Sequence, residues 1–319
     1  MSPGMHAGVL IAYGSAAIAT GAVTPLARRL AERAGALDHP NERKVHKHPL
    51  PTWGGLAIIF GLFVGAAAGG AFPQLVPRAA AGIFAGALIV ALLGFIDDRY
   101  DLPAKLKLLV QVVATVPLLV SGITISHLSN PFAGGMIAVP PPLAAIFTVL
   151  WVVAVTNAIN LIDGLDGLAA GVASIAGVAL AFIAILWGQL AVALLCGALA
   201  GAAAGFLPWN WHPARILMGD TGAYFLGYMI GAVTVMGAFK MAAAIAIFVP
   251  ILVLAVPLLD TVLSPVRRYL QGRPAFAADR DHLHHRLIAL GLSETRVVAL
   301  TYIVTALCGG AAIWISAAS

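Results

Sequence analysis

Ten apolar runs, each close to twenty residues, account for most of the chain: 6–30, 53–72, 79–96, 104–122, 143–160, 168–187, 190–207, 222–238, 241–263 and 297–317. A helix rises about 1.5 Å per residue and the hydrocarbon layer is about 30 Å thick, so each run is long enough to span a bilayer. Lipid offers no partner to a backbone N–H or C=O, so each run must satisfy its own backbone as a helix. Residues are 61% hydrophobic and 10% charged, against about 25% charged in soluble domains. The expected class is therefore all-α: a polytopic integral membrane protein of about ten transmembrane helices, with residues 1–319 as one transmembrane domain. The first run lacks a basic leader and continues into "LARRLAERAG", which reads as an uncleaved first helix. Cys196 and Cys308 both lie in apolar runs and suggest neither a disulfide framework nor a thiolate metal site. The seams between runs 6 and 7 and between runs 8 and 9 are short enough for tight hairpins. The uncharged "SHLSNPFAGGMIAVPPP" suits a small hairpin on the outer face.

Charge sets the orientation. Five loops and their adjacent helix ends hold 16 of the 18 basic residues, leaving only Arg78 and Lys240 on the other side. The basic side is expected to be cytoplasmic, with both termini outside. All 13 acidic residues also fall on the basic side. The positive-inside rule does not require that, so a single working face, cytoplasmic, is expected. The net charge of +5 suits anionic lipid headgroups and gives no sign of nucleic acid.

An Asp beside a helix is most simply an N-cap. That reading suits Asp101, which precedes "LPAKL"; for Asp166 and Asp220, capping and chemistry stay equally open. Capping does not explain "GFIDDRYD", where Asp97 and Asp98 end a helix whose C-terminus already carries partial negative charge. Arg99 offsets part of the repulsion, and a divalent cation would offset more. Asp163 is no obvious cap either. Asn157, Asn160, Asp163 and Asp166 recur at threes in "NAINLIDGLDGLAAG" and form a drifting row along a helix end. Hard oxygen ligands of this kind suit Mg²⁺ or Mn²⁺ rather than zinc.

The basic counterpart is "DRDHLHHRL", with His282, His284, His285 and Arg286. A positive-inside loop accounts for arginines but not for three histidines in four residues. Flanking arginines and the lack of a nearby thiolate disfavour zinc. An anion site, with His and Arg gripping phosphates, fits best. Carboxylates for a metal and cations for an anion on one face match a metal–diphosphate substrate beside a membrane.

Five segments, in order, resemble the polyprenyl-phosphate N-acetylhexosamine-1-phosphate transferase family: "DHPNERKVHKHPLPTWGGLAI", "GFIDDRYDL", "NAINLIDGLDGLAAG", "MGDTGAYFLGY" and "DRDHLHHRL". They run from Asp38 to Leu287, most of the chain. "HLHHRL" is similar to the bacterial branch that transfers N-acetylglucosamine-1-phosphate to undecaprenyl phosphate and so starts teichoic acid, O-antigen and related envelope polymers. Ala223 departs from the Ser that often follows "GDTG".

The resemblance implies a catalytic transmembrane domain in the bacterial inner membrane. It makes Asp97 and Asp98 the catalytic pair, and Asp220, with Asn160 and Asp98, the Mg²⁺ ligands. Asn157, Asp163 and Asp166, with Lys44 and His46 of the first segment, fall where the nucleotide-sugar is read; Arg43 lines the same cavity. His282, His284, His285 and Arg286 fall where diphosphate and sugar are held. The implied partners are a UDP-N-acetylhexosamine, undecaprenyl phosphate and membrane lipids, and the family adds a homodimer.

The implied reaction is attack by undecaprenyl phosphate on the β-phosphorus of the UDP-sugar, releasing UMP. A phosphate monoester has a second pKa of about 6 and is largely dianionic at neutral pH, so a general base is not obligatory. A two-step route through an aspartyl-phosphate stays chemically open. So do other donors, such as UDP-MurNAc-pentapeptide or a 6-deoxy sugar. A secondary transporter of an anionic substrate is the alternative of another class. It would place its ionisable groups near the midplane, on broken helices, whereas here even Asp260 lies near a helix end.

Overall fold

The computed structural model describes residues 3–39, 48–129, 136–238 and 291–318. Among them run nine helices: α1 (Pro3–Ala34), α2 (Gly54–Ala68), α3 (Pro77–Tyr100), α4 (Ala104–Val120), α5 (Pro141–Ile162), α6 (Leu168–Leu186), α7 (Leu190–Asn210), α8 (Gly219–Ala238) and α9 (Glu294–Ala318). In the described residues six helices are long and apolar enough to cross a membrane: α1, α3, α5, α6, α7 and α9. The protein is a mostly helical, multi-pass membrane type. The expected run at 241–263 lies outside the described residues.

Proline sets several helix starts. Pro77 and Pro141 occupy first-turn positions of α3 and α5, where the missing N–H costs nothing, and Pro103 stands at the N-cap of α4. The run expected at 53–72 yields a shorter helix. Gly69 and Gly70 follow Ala68, and Gly70 takes φ 78°, which turns the chain out of the helix. Residues 187–189 alone join α6 to α7, the expected tight hairpin. The uncharged loop after α4 carries the expected hairpin: β3 (His127–Ser129) pairs antiparallel with β4 (Met136–Ala138). A second short pair, β1 (Leu37–Asp38) with β2 (Leu50–Pro51), closes the segment between α1 and α2.

Small residues bring the helices together. Lipid tails give apolar helices no hydrophobic reason to associate, so close backbone approach through Gly and Ala matters more. A Cβ on Gly61 or Gly65 of α2, or on Gly69 just after it, would meet Thr20, Ala16 or Ala12 of α1 within 3 Å. Gly201 and Gly205 of α7 rest on the α1 carbonyls of Tyr13 and Ala17 in the same way. Helix α8 is central. Tyr224, Phe225, Leu226, Tyr228 and Met229 are all buried, and α8 touches α3 at Gly94, α2 at Gly55 and α5 through its own Gly227.

Hydrogen bonds and ion pairs show which helix ends meet. The C-termini of α1, α3, α5 and α7 and the N-termini of α2, α4, α6, α8 and α9 gather at one end of the bundle. Every described carboxylate lies at that end, in agreement with the one-sided acidic pattern of the sequence.

Candidate functional site

Asp97 and Asp98 are neighbours in α3, yet they face different helices. Successive helical residues are turned by about 100°. Asp97 is buried at 4% exposure against the start of α4. Its Oδ1 accepts the Leu102 N–H at 2.7 Å, and its Oδ2 lies 2.6 Å from Lys107 Nζ and 3.4 Å from the Tyr224 hydroxyl. Asp98 turns to α8. Its Oδ1 accepts the Asp220 N–H at 2.6 Å; its Oδ2 accepts the Thr221 hydroxyl at 2.6 Å and the Thr221 N–H at 3.3 Å. Asp98 thus caps α8 from another helix and satisfies N–H groups that an α-helix start leaves orphaned. The capping Asp in this region is therefore Asp98 and not Asp220 itself.

Protein groups other than Arg99 relieve the repulsion expected between the two acids. Arg99 turns away and donates to the Ala34 carbonyl. Lys107 neutralises Asp97, and the positive end of α8 receives Asp98. Gly219 permits that approach. Its φ is 72°, and a Cβ there would fall 2.6 Å from Asp98 Oδ2. Gly94 likewise lets the Asp220–Thr221 backbone settle on α3, since a Cβ would come within 2.4 Å of it.

Asp220 stands in the first turn of α8 with about a third of its side chain open. Asn160 Nδ2 donates to its Oδ1 at 2.6 Å, and Lys107 Nζ lies 3.7 Å from its Oδ2. The expected pairing of Asn160 with Asp220 is therefore present, and Lys107 ties both to Asp97.

The row at threes fans out instead of forming one array. Each step of three residues turns about 60° short of a full circle, and Asn157, Asn160 and Asp166 each find a different partner. Asn157 Nδ2 donates to Gln111 Oε1 of α4 at 2.5 Å and to the Val153 carbonyl. Asn160 reaches α8. Asp163 follows the end of α5; its N–H donates to the Asn160 carbonyl at 3.2 Å, and its side chain takes no hydrogen bond or ion pair among the described residues. Burial first, then the charges of Asp98, Asp166 and Asp38, push its carboxyl well above the usual range. Asp166 does not cap α6, where Gly167 stands with φ 78°. Its Oδ2 accepts the Ala214 N–H at 2.9 Å and lies 3.0 Å from His212 Nδ1. Asp101 also departs from its expected capping role. It ends α3 with φ 47° and is exposed, 4.0 Å from Lys107.

Sequence reasoning missed Lys107, Gln111, Thr221 and the glycines beside them. Lys107 gave the clearest signal: a lysine inside an apolar helix is costly unless paired. Lys44, His46, Arg43, His282, His284, His285 and Arg286 lie outside the described residues.

Among the described residues no three His, Cys, Asp or Glu side chains form a metal cage. Mg²⁺ does not need one, because it is usually held by one or two carboxylates together with substrate phosphates and water. Asp220, part exposed and sharing the one ammonium of Lys107 with Asp97, supplies hard oxygen and incompletely balanced negative charge, which fits such an ion.

Residues 80–238 match the family described as Glycosyl transferase family 4. The chain is 38% identical over 287 residues to a probable undecaprenyl-phosphate N-acetylglucosaminyl 1-phosphate transferase of Bacillus subtilis, covering 88% of this chain and 78% of that protein. It is 37% identical to the decaprenyl-phosphate N-acetylglucosaminephosphotransferase of Mycobacterium tuberculosis, covering 91% and 78%. To the undecaprenyl-phosphate alpha-N-acetylglucosaminyl 1-phosphate transferase of Escherichia coli it is 27% identical, covering 88% and 77%. With the matched region containing α3 to α8, and so the Asp97–Lys107–Asp220–Asn160 cluster, the chain belongs to glycosyl transferase family 4.

Proposed function

We propose that this protein transfers N-acetylglucosamine-1-phosphate from UDP-N-acetylglucosamine to undecaprenyl phosphate, releasing UMP, at the cytoplasmic face of a bacterial inner membrane. The observation that carries the reading is the cluster of Asp97, Lys107, Asn160 and Asp220 at one end of an apolar bundle, in a chain so similar to enzymes named for this transfer. Ten membrane helices with both termini outside would put that end on the cytoplasmic side, where nucleotide sugars are found.

In this reading Asp220 and Asn160 hold Mg²⁺, and Asp98 fixes Asp220 by capping the turn that carries it. The ion, when bound, screens the diphosphate and the charge that develops on leaving UMP. Asp163 and Asp166 flank the nucleotide-sugar, and Asn157 sets the end of α5 against α4 through Gln111. Lys44, His46, His282, His284, His285 and Arg286 grip the donor's phosphates and sugar. A lone pair of the lipid phosphate attacks the β-phosphorus, and the bond from that phosphorus to the oxygen of the uridine-bearing phosphate breaks. Direct attack is favoured over an aspartyl-phosphate. Both Asp98 oxygens face donors of α8, and the Asp97 side chain is only 1% exposed, against Lys107. Buried in this way, Asp97 acts on the reacting phosphates only through Lys107, which it shares with Asp220. The gathering of described carboxylates at one end supports an interfacial enzyme over a transporter.

Purified protein with undecaprenyl phosphate and UDP-N-acetylglucosamine, with and without Mg²⁺, tests this directly. UMP release that needs both lipid and metal supports it. Release with another UDP-N-acetylhexosamine alone would reassign the sugar. Silence with every nucleotide sugar, from a folded preparation, would overturn the reaction.

A further inference from the structure

His212 lies in the connection between α7 and α8, and nothing in the chemistry above uses it. Its Nδ1 is 3.0 Å from Asp166 Oδ2 and 3.5 Å from Glu294 Oε2. One imidazole therefore joins the loop between α5 and α6, the loop before α8, and the first turn of α9. The same Asp166 oxygen also accepts the Ala214 N–H, two residues from His212. A second, independent tie lies close by. The Tyr302 hydroxyl of α9 donates to the Gly167 carbonyl at 2.5 Å, and Asn210 Oδ1 accepts the Gly167 N–H at 3.0 Å. A Cβ at Gly171 would come within 2.0 Å of Tyr302, so α9 presses on the start of α6 below the same loop.

We infer that His212 is a positioning residue that fixes the Asp163–Gly167 loop, holding Asp166 against the α7–α8 connection and tethering both to α9 through Glu294. Loops joining helices are mobile unless their backbone and side-chain groups are tied down. Here the loop offers two carboxylates in four residues, and only one of them, Asp166, is anchored among the described residues. Anchoring Asp166 fixes where Asp163 stands. The consequence for turnover rests on the reading that this loop holds the nucleotide-sugar. His212 then acts on donor binding and leaves the attack by the lipid phosphate untouched.

Two substitutions separate positioning from bulk. Asparagine places an amide N–H near the position of the imidazole Nδ1, so His212→Asn keeps the bond to Asp166, whereas His212→Ala removes it. Hydrogen exchange on the full-length wild-type and variant proteins reads the clamp without any substrate. Amides of 163–168 and of Ala214 should exchange faster in His212→Ala and return toward wild type in His212→Asn. Unchanged exchange in the alanine variant would overturn the inference. In UMP-release kinetics, His212→Ala should raise the donor KM about tenfold while kcat and the lipid KM stay within about twofold, the pattern of lost ground-state binding. A uniform loss in all parameters without asparagine rescue would mean a merely structural role and would also overturn it. Failure of the wild-type protein to release UMP from any donor would sink the proposed reaction but leave the exchange result standing on its own.

Discussion

Asp98 accepts the backbone N–H of Asp220 at 2.6 Å, so the acid that ends α3 starts α8. Asp220, with about a third of its side chain open, is thus aimed by a carboxylate on another helix. Replacing Asp98 by Ala removes a cap, which costs about 1–2 kcal/mol of stability. It also frees the turn that carries Asp220, and a displacement near 1 Å at a reacting site costs about 10²-fold in rate. Asp98→Asn still accepts from Asp220 through its oxygen and donates to Thr221 Oγ1, so it should lose only about tenfold in kcat. Steady-state UMP release by the two variants checks this. Equal loss in both would mean that the charge of Asp98, and not its capping, is what matters.

Gly219→Ala strains the same junction from the other side. The left-handed backbone alone costs about 1–2 kcal/mol, and the new Cβ would collide with Asp98. Gly188, with φ 66° and open space around it, provides the comparison. Gly188→Ala should show only the strain as a lowered melting temperature with full turnover, while Gly219→Ala should lose turnover as well.

Lys107 bridges Asp97 and Asp220. Removing it as Lys107→Met leaves Asp97 ionised in a buried place, and breaking a buried pair this way costs about 3–5 kcal/mol. Turnover should fall steeply. Metal titration distinguishes its role from that of Asp220: Asp220→Asn should abolish the Mg²⁺ dependence of whatever activity remains, whereas Lys107→Met should retain it. An unaltered Mg²⁺ response in Asp220→Asn would remove Asp220 from the ligand set.

Asp163 gives a pH signature. Its carboxyl is raised above 3.8, the value expected in an unfolded chain. Below 3.8 both states hold the proton and the group is neutral to stability. As pH rises further the unfolded chain ionises first, so stability is lost progressively until the folded group also ionises. Without added metal or donor, wild-type protein should therefore lose melting temperature relative to Asp163→Asn as pH rises above 3.8. Parallel melting curves across that range would contradict the assignment.

Much of this was legible before any coordinates. Apolar runs marked the helices because lipid forbids unsatisfied backbone. The doubled Asp97–Asp98 stood out because anions at a helix C-terminus are unfavourable. What relieves them was not legible. Arg99 is adjacent in sequence and Lys107 is not, yet a helix end points its neighbours apart and the next helix brings Lys107 back. The spacing of Asn157, Asn160, Asp163 and Asp166 suggested one face, but a drift of about 60° per step is enough to send Asn157, Asn160 and Asp166 to separate partners. His212 gave no sign at all, because its two acids, one in a loop and one in the first turn of α9, lie far from it in the chain.

The bond from Tyr302 to the Gly167 carbonyl joins residues 135 apart. Membrane chains are synthesised and inserted from the N-terminus onward. Helices α1 to α8, with the whole Asp97–Lys107–Asp220 cluster, are therefore made while the loop between α5 and α6 still lacks its brace. The growing chain holds the acids of the cluster early but has the loop between α5 and α6 in final form only when α9 arrives. A ribosome stalled before α9 leaves behind a membrane protein with its charges in place and its grip unfinished.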